Sequence, residues 1–183
     1  MLKELTDIEI VEQAKAELPH VTVAFEELII RHENKVYAIC LRYFGHQEQA
    51  EEISQEVFLK VFQQLKNFRG DAQFSTWLYR IAINLCHTAA QKKSYTTQYD
   101  SLDDYADDVQ LSSEFECDDE EQCVQYCIDQ QNEVEKAIIS MRFNTELSLK
   151  EIADILNLKL SATKMRLYRA MEGFKQLYEK NCL

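Results

Sequence analysis

Residues 68–84, which read FRGDAQFSTWLYRIAIN, combine aromatic rings with cationic and amide side chains. Its four rings, Phe68, Phe74, Trp77 and Tyr79, alternate with arginine, serine, threonine and asparagine side chains. Flat rings among cations and amides suit an opened nucleic-acid strand, whose bases stack and whose phosphates pair with basic groups. Because aromatic residues are more often buried, composition alone favours an aromatic core over a binding surface.

A second group of candidate binding residues lies near the C-terminus. Ser148 and Glu151 have the capping-box spacing that begins a short helix, and Asn157 suits the left-handed conformation that ends one. After a short turn, Ser161 is expected to cap a longer helix. The exposed face of that helix is predicted to carry Lys164, Met165, Tyr168 and Arg169, with Arg166 at its flank.

This arrangement is the pattern of a helix-turn-helix. On its second helix, Lys164 and Arg169 have the chemistry to reach phosphates or a guanine edge, while Met165 and Tyr168 suit base methyl groups. An ordinary helical hairpin with a cationic solvent face would give the same pattern. The helix-turn-helix pattern alone therefore leaves both interpretations open.

A third candidate surface is acidic and lies on a helix predicted over residues 48–66. Its apolar positions fall on one face, and Glu52, Gln55 and Glu56 fall on the other. An acidic outer face commonly serves only for solvation. The alternative is a docking surface for a basic or polar helix of a partner.

Carboxylates are concentrated between residues 94 and 135, where the chain has no lysine or arginine. This composition is typical of an extended linker, and it accounts for most of the net charge of −12. The C-terminal residues 134–183 are basic by contrast, so the global charge does not exclude DNA binding. Without a glycine turn or EF-hand spacing, no metal site is predicted in the linker.

The six cysteines come with no C-x-x-C pair, no signal peptide and no apolar run long enough to span a bilayer. These features predict a reduced, cytosolic protein. Cys123 and Cys127, with Val124 and Ile128, have the spacing of a buried helix face, so core cysteine is the favoured interpretation. A metal or redox cluster that includes Cys117 is the lesser alternative.

The elements that position these groups are predicted to be helices, because only three glycines and one proline interrupt runs of helix-favouring residues. A first helix begins at Thr6 with a capping box to Glu9 and ends at Pro19. A second runs from Phe25 to Gly45, and residues 48–66 form the third. Residues 66–75 are expected to form a loop, after which Ser75 or Thr76 caps a helix that begins at Trp77.

Together these features resemble the extracytoplasmic-function (group IV) sigma factors of bacterial RNA polymerase, over nearly the whole chain. The matching stretches are LTDIEIVEQAKAEL, AFEELIIRHENKVYAICLRYFG, AEEISQEVFLKVFQQLKNFRGDAQFSTWLYRIAIN and ELSLKEIADILNLKLSATKMRLYRAMEGFKQL. The third stretch is long and unusual in composition, and it is the most specific of the four.

The resemblance implies an all-α fold of two small helical domains joined by an acidic flexible linker. Sigma region two would occupy residues 1–97, the linker residues 98–119 and sigma region four residues 120–183. Such a protein binds core RNA polymerase, directs it to promoters and helps to open the DNA. The resemblance also implies control by an anti-sigma factor, a cytoplasmic monomer when free of partners, no membrane insertion, no cofactor or metal, and no catalysis.

Three groups of binding residues follow from the resemblance. Docking on the clamp helices of the polymerase's largest subunit is implied for Glu52, Gln55 and Glu56. The loop at 66–75 matches the specificity loop around a base flipped from the non-template strand, and Asn84 matches the amide at that site. The residues implied to bind the minus-ten element are Lys66, Asn67, Phe68, Arg69, Phe74, Ser75, Trp77, Arg80 and Asn84. Those implied to bind the minus-thirty-five element are Ser161, Lys164, Met165, Arg166, Tyr168 and Arg169.

Two positions depart from the family pattern. The Leu-Pro-Glu motif that commonly precedes the helix-turn-helix is replaced around residues 131–133, and Met165 stands where a small polar residue is common. The alternative function is a stand-alone dimeric helix-turn-helix regulator that binds a palindromic operator, with residues 1–98 as a sensor or dimerisation domain. A carboxylate-metal nuclease has only the acidic linker in its favour, with no ordered scaffold to hold ligands.

Overall fold

The computed structural model of the protein describes residues 2–100 and 120–182, and for residues 93–100 it describes the backbone alone. The regular elements in these ranges are all helical, which confirms the all-α prediction. The α-helices are α1 (Asp7–Glu17), α2 (Val23–Phe44), α3 (Gln47–Gln64), α4 (Phe74–Asp100), α5 (Glu120–Asp129), α6 (Glu133–Asn144), α7 (Leu149–Ile155) and α8 (Leu160–Asn181).

The N-terminus of α1 has the predicted capping box. The Thr6 backbone N–H and hydroxyl both donate to Glu9 Oε2 over 2.7 Å, and these hydrogen bonds lower the pKa of Glu9. Arg31 of α2 then holds the chain that precedes α1, because its guanidinium donates to the carbonyls of Leu2 and Leu5. The N-terminal segment is thereby fastened to α2.

Helix α2 lies at the centre of the N-terminal half and packs against α1, α3 and α4. Its fully buried Val36 and Ile39 share a core with Val57 of α3 and Leu78 of α4. The helix ends at Gly45, whose φ of 72° is the left-handed conformation that glycine adopts without a steric penalty. The predicted end of the second helix at Gly45 is therefore confirmed.

The C-terminal half contains the predicted helix-turn-helix, formed by α7 and α8. Ser148 and Glu151 form the capping box that begins α7, and Asn157 in the following turn has a φ of 53°. The prediction that Ser161 caps α8 is wrong. The helix begins one residue earlier, where the Lys159 carbonyl accepts from the Thr163 N–H, so Ser161 lies in the first turn.

The start of α4 also differs from the prediction. The helix begins at Phe74, because the Gln73 carbonyl accepts a hydrogen bond from the Trp77 N–H. Ser75 and Thr76 therefore lie inside the first turn and do not cap it. The acidic linker predicted at residues 98–119 lies outside the described residues, except for its first three positions, which continue α4.

The two halves of the chain pack together, mainly through α6 against α2. Ala137, Ile138 and Met141 of α6 belong to the same buried cluster as the N-terminal core. A second, smaller cluster is formed in the C-terminal half by Ile128, Ile139 and Ala170. None of the helices in residues 2–100 and 120–182 combines the length and apolarity needed to cross a membrane.

The cysteines divide into a bonded pair and buried thiols. A disulfide joins Cys123 and Cys182, so the prediction of reduced cysteines is wrong for this pair. The predicted burial of Cys123 and Cys127 is confirmed. Cys40 and Cys86 are buried where α2 meets α4, with their sulfur atoms 3.8 Å apart.

Candidate nucleic-acid and polymerase interfaces

The loop between α3 and α4 forms one wall of a surface pocket of about 310 Å³. The other wall is the first two turns of α4, which contribute Thr76, Trp77 and Arg80. From the loop come Asn67, Phe68, Arg69, Asp71 and Ala72. Nine residues are predicted to bind the minus-ten element, and the structure brings six of them together here. Five line the pocket, at positions 67–69, 77 and 80, and Phe74 lies in the ring cluster beneath it.

The floor of this pocket is a cluster of three aromatic rings. The Phe68 ring centroid lies 5.2 Å from that of Trp77 and 6.0 Å from that of Phe74. Phe68 and Phe74 are only 5% and 3% exposed, so little of either ring is accessible in this arrangement, and their contact with DNA stays a prediction. Their burial gives the pocket a rigid base, because buried rings at these separations hold one another in place.

The rim of the pocket carries the groups that are available for contact. Asn67, Arg69 and Arg80 line the pocket and are exposed, and Trp77, which also lines it, is half-buried. Lys66 is exposed just before these loop residues. Ser75 is half-buried on α4 and does not line the pocket. The rim therefore offers cationic and amide donors beside a half-buried indole ring.

Asn84 lies one helical turn beyond Arg80 and is exposed. It lines a second pocket, of about 420 Å³, whose opposite wall is formed by α7 and the turn after it. Across this pocket the Arg80 Nη2 donates to the Asp154 carbonyl oxygen over 2.6 Å. The two exposed polar residues of α4 predicted to bind DNA therefore face the helix-turn-helix in this structure.

The acidic face of α3 is exposed as predicted, with Glu52, Gln55 and Glu56 directed to solvent. Beside it runs an apolar groove of about 660 Å³ between α2 and α3. Gln55 lies at the edge of this groove, together with Glu51 and Glu33, and Phe25, Phe58 and Phe62 form its base. Acidic and amide groups thus border an apolar channel.

Sequence reasoning missed the apolar part of this surface. Leu59 lines the groove with 62% of its surface exposed, and Ile30 of α2 is 61% exposed. Both residues fall outside the apolar stripe that the helical period assigns to the core. Large apolar residues at outward positions are the signal that would have indicated a binding surface here.

The predicted division of α8 into two faces is confirmed. Thr163 and Ala170 are fully buried against the other helices, while Lys164 and Arg169 are exposed. Met165 is 54% and Tyr168 is 70% exposed. Ser161 is also exposed and Arg166 is half-buried, so the residues predicted to read DNA share one outer surface.

The described residues offer no arrangement for metal chemistry. Within residues 2–100 and 120–182, no group of three or more histidine, cysteine, aspartate or glutamate side chains is placed to hold a metal ion. The polar surfaces of this part of the chain suit binding by hydrogen bonds, charge and apolar contact.

Two family profiles match the chain. The profile described as Sigma-70 region 2 matches residues 28–96, which include the acidic face, the loop pocket and every groove residue except Phe25. The profile described as Sigma-70, region 4 matches residues 127–175, which include the helix-turn-helix.

Several sigma factors of other bacteria are similar in sequence. The chain is 30% identical over 161 residues to the RNA polymerase sigma-H factor of Pseudomonas aeruginosa, covering 82% of this chain and 83% of that relative. It is 28% identical over 164 residues to the ECF RNA polymerase sigma factor SigW of Bacillus subtilis, covering 84% and 88% of the two chains. The ECF RNA polymerase sigma-E factor of Escherichia coli is 28% identical over 189 residues, covering 94% of each.

Two solved structures show the same fold at lower identity. The sigma factor RpoE, in complex with the anti-sigma factor NepR from Bartonella quintana, has a TM-score of 0.70 and 17% identity over 87% of this chain and 98% of that one. CnrH in complex with the cytosolic domain of CnrY has a TM-score of 0.70 and 20% identity over 96% and 98%. The chain belongs to the sigma-70 family and is an RNA polymerase sigma factor of the extracytoplasmic-function type.

Proposed function

We propose that the loop pocket, with Asn84, binds the opened minus-ten element. The observation that carries this proposal is a pocket with a cationic and amide rim on a fixed aromatic floor, inside the region 2 match. Extruding a base costs a few kcal/mol, which stacking and hydrogen bonds in a pocket offset. Trp77 supplies a ring edge, and Asn67, Arg69 and Arg80 supply donors for a base or phosphate.

The groove between α2 and α3 is proposed as part of the docking surface for core polymerase. Its apolar base suits one face of an amphipathic helix, and its acidic and amide border, extended by Glu52 and Glu56, suits basic residues on that helix. The exposed Leu59 would become buried on docking. The apolar contact would supply affinity, and the carboxylates would set the orientation of the partner helix.

The outer face of α8 is proposed to read the minus-thirty-five element as duplex DNA. Lys164 and Arg169 reach outward from the helix, with Met165 and Tyr168 beside them. A recognition helix in the major groove uses such cations for phosphates and guanine, and apolar atoms for base methyl groups. No catalytic step is required, because binding energy alone drives the opening of the strands.

Arg80 cannot use the same donor for DNA while it is bound to the Asp154 carbonyl. The closed arrangement of α4 against α7 therefore suits the protein before it engages a promoter. RpoE and CnrH, which share this fold, were each solved with a regulatory partner, NepR and CnrY. We propose that an anti-sigma factor likewise controls this chain, in the bacterial cytoplasm where polymerase and promoter meet.

The decisive experiment is transcription in vitro with core polymerase and the Asn84→Ala variant, on promoters first selected with the native protein from genomic fragments. Loss of a good base contact costs about 1–3 kcal/mol, so open-complex formation should fall by about 5- to 150-fold. Binding to core polymerase should be unchanged. Gln91→Ala, an exposed amide two turns further along α4, is the matched control and should retain full activity.

Equal open-complex formation by the Asn84→Ala variant and the native protein would remove Asn84 from the site. Chromatography with core polymerase tests the wider assignment, because a sigma factor co-elutes with core as one copy. A dimer that ignores core polymerase and binds a palindromic duplex unaided would instead indicate a stand-alone regulator.

A further inference from the structure

The disulfide between Cys123 and Cys182 joins the two ends of the C-terminal helical unit. Cys123 lies near the start of α5, and Cys182 directly follows α8, 59 residues later. Cys123 is 2% exposed, whereas Cys182 is partly exposed at the end of its helix. Solvent oxidants therefore reach this pair from the Cys182 side.

The other described cysteines are protected from the same chemistry. Cys40, Cys86 and Cys127 are buried, and Cys86 lies at the centre of the contact between α2 and α4. Its hydrogen bond with Cys40 and its burial raise the pKa of the Cys86 thiol far above the usual range. Among the described cysteines, Cys182 and its partner Cys123 are therefore the pair that an oxidant can reach.

Helix α5 packs against α8 and against α2. It packs on α8 through a cluster in which only Ile128, Ile139 and Ala170 are buried, with Val124 and Phe174 at the edge. On its other side the Gln125 Nε2 approaches the Arg42 carbonyl of α2 at 3.5 Å, the limit of a hydrogen bond. The disulfide therefore adds a covalent link between α5 and the end of α8 to this packing.

The bond is remote from the proposed DNA-reading face. Arg169 precedes Cys182 by 13 residues, which is about 20 Å along a helix axis. Oxidation at Cys182 thus fastens the last turns of α8 to α5 without covering Lys164 or Arg169. The oxidised and reduced forms therefore differ in how firmly α5 is held to the end of α8.

We propose that Cys123 and Cys182 form a reversible oxidation site that fastens α5 to the end of α8. The Cys182 thiolate attacks a hydroperoxide, forming a sulfenic acid as the O–O bond breaks and an alcohol or water leaves. The Cys123 thiol then attacks the Cys182 sulfur, the S–S bond forms, and the sulfenic oxygen departs as water. Two electrons and the two thiol hydrogens pass to the peroxide, and a dithiol reverses the change.

The full chain, treated with hydrogen peroxide or with dithiothreitol, tests this proposal without any transcription assay. After alkylation and peptide mapping, the oxidised protein should contain the Cys123–Cys182 linkage, while Cys40 and Cys86 react only after denaturation. Hydrogen exchange in α5 and in the last turns of α8 should be slower by on the order of tenfold in the oxidised form.

Two variants sharpen the result. Cys182→Ser should lack the linkage and exchange equally fast with and without peroxide, whereas Cys117→Ser should behave as the native chain. The comparison of oxidised with reduced native protein keeps the test decisive if Cys182→Ser folds poorly. A linkage to Cys117, no linkage after prolonged peroxide, or equal exchange in the two native states would each overturn the proposal.

Discussion

The Tyr43 hydroxyl donates a hydrogen bond to the Glu133 carboxylate and so connects α2 to the first turn of α6. Tyr43 is only 3% exposed, whereas Glu133 is half-buried. Burial first, and then the bond to Glu133, raises the pKa of Tyr43 well above its usual range, so the hydroxyl keeps its proton. This bond ties the N-terminal half to the C-terminal half at a buried point.

Removing that hydroxyl should destabilise the packed arrangement. We expect Tyr43→Phe to lower the free energy of unfolding by about 1–2 kcal/mol, because a hydrogen bond to a charged acceptor is lost at a largely buried position. Lys35→Ala is the control, since its ion pair with Glu146 is long, at 3.4 Å, and solvent-exposed. Urea unfolding of both variants checks this, and equal losses would contradict it.

The salt dependence of promoter binding should identify the phosphate contacts of α8. In complex with core polymerase, we expect Lys164→Ala and Arg169→Ala each to reduce the slope of log K against log salt by about 1, if each side chain neutralises one phosphate. Lys180→Ala, exposed at the far end of the same helix, should leave the slope unchanged. A filter-binding or fluorescence titration at several salt concentrations measures all three. Identical slopes for the three variants would remove Lys164 and Arg169 from the interface.

Asp129 should give the protein a measurable dependence of stability on pH. Burial raises the pKa of Asp129, although the hydrogen bond from Gln125 and the charge of Lys136 act in the opposite direction. A folded-state pKa above the unfolded value means that the folded protein binds the proton more tightly. The contribution of Asp129 to stability is therefore present at acidic pH and is lost as the pH rises through the folded pKa.

The variant Asp129→Asn isolates this effect. We expect urea unfolding of the native chain to show an Asp129-dependent gain in stability as the pH falls from about 7 toward about 4, and the variant to lack that gain. Asp71→Asn, at an exposed loop position, is the matched control and should follow the native curve. If the native protein and Asp129→Asn have the same pH profile, burial of this carboxylate does not affect folding.

Reduction of the disulfide should weaken the C-terminal unit in equilibrium unfolding as well. Closing a loop of 59 residues contributes up to about 4 kcal/mol by restricting the unfolded chain. We expect the denaturant midpoint of the α5–α8 unit to fall on addition of dithiothreitol, while Cys182→Ser shows no further change. An unchanged native midpoint would mean that the packing of α5 on α8 alone determines stability there.

The local features of the fold were predictable from sequence, because they depend on neighbours within one helical turn. The capping boxes at Thr6 and Ser148, the left-handed Asn157 and the end of α2 at Gly45 all follow from patterns of three to five residues. The exposed face of α8 follows from its apolar period in the same way. The exact first residue of a helix was harder to predict, because several polar residues near a helix start can each serve as the N-cap.

Long-range relationships were not predictable from spacing. The Cys123–Cys182 bond and the Tyr43–Glu133 bond join residues 59 and 90 positions apart, and no local pattern marks either pair. For the loop pocket, composition indicated a cluster of aromatic rings but not which rings would be buried. Phe74 is buried in the first turn of α4, and Phe68 is buried because the preceding loop packs its ring against Phe74 and Trp77.

The glycine that ends α2 has a second role, set by a helix from the opposite half of the chain. A Cβ atom at position 45 would come within 2.8 Å of the Gln125 Nε2 on α5, and the φ of 72° would be strained as well. The missing methyl group thus satisfies a backbone requirement of the first half and leaves room for the Gln125 side chain of the second. A substitution at Gly45 would consequently disturb both the end of α2 and the packing of α5, although Gly45 lies on none of the proposed binding surfaces.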